Sequence, residues 1–187
     1  MSVDVGDEDL SSWMRGGVAT VQAILAILIA FFAGAAIAVP GQSLLFDLGL
    51  VVADTAEAEA VSSALQFLGF GVGALVYLLA VGRWDVVPGW YHRPTRRDLL
   101  WMGGGIVVLY LASMLLTVLL SLAGVEIAQN QIVELGRETP ILFLYMVPVT
   151  ILFVAPAEEL LFRGIVQGRY REAFDPTAAV VVASLLF

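Results

Sequence analysis

Residues 140–157 read P-I-L-F-L-Y-M-V-P-V-T-I-L-F-V-A-P-A, 18 positions without a charge, and residues 158–164 continue E-E-L-L-F-R-G. A bilayer is crossed by a helix of about 20 mainly apolar residues, so this run is of membrane length. Three ionisable groups, Glu158, Glu159 and Arg163, stand at its end. A charge inside a membrane costs at least about 2–3 kcal/mol, so their position calls for a reason.

Outward from that run, three more stretches could each cross a membrane, at about residues 17–39, 61–82 and 99–125. A further apolar stretch opens at Pro176 and has 12 residues to Phe187, too few to span. The chain of 187 residues is 60% hydrophobic and only 14% charged, against about 25% charged in soluble domains. Its mean hydropathy is +0.92. The expected fold class is all-α: a multi-pass transmembrane helical bundle with four full spans plus the start of a fifth. An acidic tail, residues 1–15, precedes a helical domain over residues 16–187.

Composition also excludes. The absence of cysteine rules out disulfides and thiolate metal sites. A net charge of −8 argues against nucleic acid and against anionic lipid as the main partner. All nine basic residues are arginine. An acidic, lysine-free chain suits a high-salt proteome, although high-GC coding also replaces lysine by arginine. The first span resembles a signal peptide with a cleavage site at Ala36-Ile37-Ala38, but its flank M-S-V-D-V-G-D-E-D is acidic and its apolar core too long. It reads as a retained helix.

The arginines orient the bundle. Arg15, Arg83, Arg93, Arg96, Arg97, Arg163, Arg169 and Arg171 fall on one side of the alternating spans, and Arg137 alone on the other. The positive-inside rule then places the N-terminus, the second loop and residues 158–171 in the cytoplasm, in a protein of the cell membrane. Gly69-Phe70-Gly71-Val72-Gly73 and Gly103-Gly104-Gly105 lie inside apolar spans with no preceding strand and no Lys-Ser/Thr, so they read as helix-packing residues rather than phosphate loops.

A helix starting near Pro140 and rising 1.5 Å per residue carries Glu158 about 27 Å along, close to the edge of a hydrocarbon layer about 30 Å thick. Pro156 can cost one turn's hydrogen bond, yet Leu160, Leu161, Ile165 and Val166 continue a helical pattern to about Glu172. At about 100° per residue, Glu159 stands ~100° and Arg163 ~140° from Glu158, so the three charges share one side. Glu159 and Arg163, four apart, form the natural surface ion pair. Glu158 faces elsewhere and needs a neighbour from another helix. Adjacent carboxylates in a half-dry site oppose each other's ionisation while an arginine favours it, which suits a general base. The plain alternative is a solvated helix end with one surface salt bridge.

The segment A-P-A-E-E-L-L-F-R-G-I-V-Q-G, residues 155–168, resembles the first signature, E-E-x-x-x-R, of the CAAX-protease and bacteriocin-processing (CPBP) intramembrane protease family. Phe162 before the arginine and Gly164 after it follow that pattern. P-T-A-A-V-V-V-A-S-L-L-F, residues 176–187, resembles the helix bearing the second signature, F-x-x-x-H, with Phe187 as its phenylalanine. The resemblance runs from about Pro140 to Phe187; the earlier helices agree only in kind.

The resemblance implies an intramembrane endopeptidase acting on a peptide or protein near the cytoplasmic face, among membrane lipids. Glu158 would activate a water, and Glu159 and Arg163 would hold the site. Family members supply histidines and an Asn or Asp from later helices. Here the second-signature histidine would fall four positions beyond Phe187, so the chain is expected to be truncated at that motif and inactive alone. A divalent metal, zinc, is compatible with a metalloprotease mechanism; a metal-free glutamate mechanism fits the motifs equally. The single histidine, His92, reads as an ordinary residue of an arginine-rich loop bracketed by Trp84, Trp90, Tyr91 and Trp101. Two other classes compete: a non-catalytic immunity or scaffold protein, and an ion-conducting bundle lined by Glu158 and Glu159. Prenylated substrates do not follow from the family name.

Overall fold

The computed structural model describes residues 5–84, 95–125 and 131–186, and all regular structure in them is helical. His92, Arg93, Trp90, Tyr91 and Phe187 lie outside the described residues. Six helices follow in chain order: α1 (Val5–Asp47), α2 (Ala56–Val81), α3 (Arg96–Leu122), α4 (Gln131–Glu138), α5 (Ile141–Ala173) and α6 (Pro176–Leu185). Four of them, α1, α2, α3 and α5, are long and apolar enough to cross a membrane. Contacts gather the helices into two compact units, α1, α2, α5 and α6 in one and α3 and α4 in the other.

Helix α1 is longer than its apolar core. It begins at Val5, so the acidic residues 7–9 share one continuous helix with the first span, and it runs through Pro40 to Asp47. A proline inside a helix removes one backbone donor and ordinarily ends or kinks it. Here α2 holds the extension in place. Ser62 Oγ donates to Gln42 Oε1 at 3.4 Å, and a Cβ on Gly41 would already stand 3.1 Å from Leu65. The interhelical contact outweighs the local preference.

Helix α2 starts where Thr55 caps it, its hydroxyl accepting from Ala58 N–H at 3.2 Å, with Glu57 and Glu59 favourably placed in the first turn. It stops at Gly82, whose φ of +70° is the left-handed state that glycine adopts at no steric cost. Along α1 a seam of Ala19, Ala23, Ala26 and Ala30, spaced four, three and four, is buried. The glycines of α2 meet the same helix. A Cβ on Gly69 would stand 2.5 Å from the Ala33 carbonyl oxygen, and one on Gly73 2.7 Å from Ala30 Cα. The two helices therefore approach at backbone distance, as small residues permit in membranes.

The triple glycine of α3 behaves differently. Among the described residues of its own unit, nothing stands within 4 Å of a Cβ built on Gly103, Gly104 or Gly105. The helix is apolar all round, so no stripe selects a packing face. Its start is sharply defined nonetheless by a capping box: Asp98 N–H donates to Thr95 Oγ1 at 3.3 Å and Thr95 N–H to Asp98 Oδ2 at 2.7 Å.

Helix α5 continues past Pro156, as its apolar pattern requires, and reaches Ala173. Its winding is not uniform. Two stretches, Thr150–Val154 and Glu159–Val166, are π-helical, with Ala155 N–H donating to the Thr150 carbonyl and Gln167 N–H to that of Phe162. Pro148 and Pro156 bracket the first stretch, each removing an ordinary i→i−4 donor. Leu161, Val166 and Tyr170 are the largest fully buried side chains of α5's second half, and Phe162 joins the same core beside Phe70 of α2, ring centroids 6.4 Å apart.

Candidate active site

The charged motif lies on the second π-helical stretch of α5, with Glu158 immediately before it. A π-helix turns less per residue than the 100° of an α-helix, so the angular wheel drawn from the sequence does not hold over Glu159–Val166. The ion pair survives the change: Arg163 Nη1 lies 3.2 Å from Glu159 Oε1. The Arg163 side chain is 75% exposed, which limits the pair to about 0–1 kcal/mol. Its effect is to occupy Glu159 and fix a positive charge beside the motif rather than to stabilise the fold.

Glu158 differs from its neighbour. It is half-buried and has no hydrogen-bond or ion-pair partner among the described residues. It lines a cleft of about 370 Å³ between α5 and α6. The α5 wall is made by Ala155, Glu158, Glu159, Phe162, Arg163 and Gln167; the α6 wall by Val180, Ala183 and Ser184. All three residues singled out from the sequence thus share one cavity, and its far wall is small and mainly apolar.

That wall is placed by a short, well-specified turn. Asp175 caps α6, its carboxylate accepting from Thr177 and Ala178 N–H at 3.0 and 3.2 Å, and Pro176 occupies the first helical turn, where its missing donor costs nothing. Ala179 and Ala183 are buried, and small side chains there let α6 lie close to α5. Ser184 Oγ donates to the Val180 carbonyl at 2.8 Å, so its hydroxyl is turned along its own helix.

Two polar cleft residues, Gln167 and Ser184, were not singled out from the sequence. Gln167 extends the stripe Glu159, Arg163, Gln167 at intervals of four, a signal that could have been read. Ser184 comes from another helix, and no spacing rule reaches it.

The donors gathered among the described residues do not make a metal centre. Among the described residues no group of three or more His, Cys, Asp or Glu side chains is gathered, whereas a catalytic zinc takes three protein ligands. Glu158 and Glu159 are two, and Arg163 already engages the second.

Residues 140–187 match the family model described as Type II CAAX prenyl endopeptidase Rce1-like, a match consistent with the CPBP proteases and covering the same segment as the E-E-x-x-x-R resemblance. No curated protein and no solved structure matches the chain.

Proposed function

We propose that the protein is an intramembrane endopeptidase in which Glu158 is the general base. The observation that carries this reading is a half-buried carboxylate without a partner among the described residues, facing a cleft, inside the segment that matches a membrane endopeptidase family. The adjacent carboxylate is engaged by arginine, so the pair is divided between an occupied member and a free one.

In the proposed reaction a water in the cleft donates a hydrogen bond to a Glu158 oxygen and attacks the scissile peptide carbonyl. Glu158 takes the water's proton as the carbon–oxygen bond forms. It returns that proton to the amide nitrogen as the carbon–nitrogen bond breaks, leaving an acid and an amine. General-base assistance of this kind contributes about 10²–10⁴-fold. Arg163, held by Glu159, sets the local charge, and the small side chains of α6 leave room for an extended peptide.

The arginine asymmetry supports a cytoplasmic N-terminus and a cleft opening toward the cytoplasmic face of the cell membrane. An ion path is less well supported: among the described residues the buried polar or charged side chains are Ser63 and Arg169, too few to line a conduit. The deciding experiment expresses the protein from its natural reading frame in liposomes with a fluorogenic transmembrane peptide. Wild type is expected to cleave and Glu158→Gln to lose at least about a hundredfold in kcat. Equal turnover by both would remove Glu158 from the chemistry, and equal cellular phenotype would favour a scaffold.

A further inference from the structure

A polar side chain of the cleft between α5 and α6 is left unused by the proposed reaction. The cleft's polar groups are Glu158, Glu159, Arg163, Gln167 and Ser184. Glu159 and Arg163 are paired with each other, and the Ser184 hydroxyl donates to the Val180 carbonyl. Glu158 is assigned to the water. Gln167 remains. It is half-buried, and its amide has no hydrogen-bond partner among the described residues. Both the donor and the acceptor of that amide are thus available to a ligand in the cleft.

The position of Gln167 says what it would meet. It is the α5 residue of the cleft nearest the turn to α6, and Val180 is the nearest on α6. Glu158 lies toward the other end. At 1.5 Å per residue the two positions stand at most about 13 Å apart along α5, and the wider π-helical winding between them shortens that. An extended peptide advances about 3.3 Å per residue. Gln167 therefore faces the third or fourth substrate residue, counted from the bond at Glu158.

A peptide lying there needs partners for its backbone. Both walls are helices, whose own N–H and C=O groups are largely taken up internally, so neither offers a strand edge to pair with. A peptide N–H or C=O buried without a partner weakens binding by about tenfold. The glutamine amide donates and accepts, which lets it bond the N–H and C=O of an extended main chain. Val180, on the facing helix, is apolar and brings no competing side-chain group. Recognition of this kind reads the substrate's backbone and not its side chain.

We propose that Gln167 is a substrate-binding residue that holds the main chain of an extended peptide three or four residues from the scissile bond. The inference rests on Glu158 as the base, which supplies its reference point. The test takes the protein from its natural reading frame in liposomes and the fluorogenic transmembrane peptide of the cleavage assay. Affinity is read by fluorescence anisotropy in the Glu158→Gln background, which removes turnover. Gln167→Met, of similar size but unable to bond a peptide group, is expected to weaken binding about tenfold. With Glu158 intact it is expected to raise KM by a similar factor and to leave kcat within about twofold. N-methylation of the peptide at the third or fourth residue from the bond is expected to weaken binding to the Gln167 chain about tenfold, with no further loss in Gln167→Met. Alanine at the same substrate position is expected to bind as before. The N-methyl scan leaves Gln167 in place and carries the test if Gln167→Met fails to fold. Unaltered affinity in Gln167→Met, or an N-methyl scan without a loss at those positions, would overturn the inference even where cleavage and its loss in Glu158→Gln are seen. The same binding losses in a wild type that does not cleave would support Gln167 while removing Glu158 from the chemistry.

Discussion

Helix α5 carries two charged clusters about two turns apart, and they are built on opposite plans. At Glu158, Glu159 and Arg163 the ion pair is exposed and the third group, half-buried, has no partner among the described residues. At Arg83, Arg169 and Glu172 the arginine is buried and the carboxylate serves two cations. An exposed pair contributes little to stability, while a buried charge stripped of its counter-ion costs several kcal/mol. The first cluster is expected to change charge at little cost to the bundle, and the second only at a cost of a few kcal/mol.

The largest test of this contrast is Glu158→Gln. It should lower kcat by about 10²–10⁴-fold while leaving the thermal midpoint close to wild type, measured on the same sample. A collapse of stability would mean that Glu158 is structural, and the two clusters would then be alike. Next comes Glu172→Gln, which strands Arg169. We expect a loss of about 2–4 kcal/mol, read by denaturant titration in detergent. A smaller effect, within about 1 kcal/mol, follows for Arg163→Gln, since its pair is exposed. A loss above about 2 kcal/mol there would break the distinction. The smallest effect is Tyr77→Phe. The Tyr77 hydroxyl is buried with no partner among the described residues and lines a cavity of about 10 Å³ with Arg83, Arg169 and Glu172. Removing it should raise stability by up to about 1 kcal/mol; a clear loss would reveal a bridging water, for which such a cavity is just large enough.

The contrast was only partly legible beforehand. Spacing alone identified Glu159 and Arg163 as a pair, because residues four apart meet on a helix whether it winds as α or slightly wider. The π-helical stretch Glu159–Val166 was not legible, since ordinary helix formers such as Leu160 and Leu161 occupy it. Arg83 and Arg169 were read as markers of topology. Their convergence on Glu172 joins residues 89 positions apart, and no local pattern encodes that.

The glycines show the same limit. Gly69 and Gly73 and the run Gly103–Gly105 look equivalent in sequence, and both suggested close packing. Gly69 and Gly73 meet the backbone of α1. Glycine permits close approach; whether a helix arrives is decided by the partner's surface, here the alanine seam of α1.

The sequence by itself determined the all-helical, membrane-length architecture and the charges at the end of the fourth span, because hydropathy and four-residue spacing act over one or two turns of chain. Tertiary structure alone decided which carboxylate is left free, which glycines pack, and that α6 closes the cleft with Val180, Ala183 and Ser184. Those outcomes depend on groups brought together from distant helices, where burial and pairing, rather than residue type, set the energy of each charge.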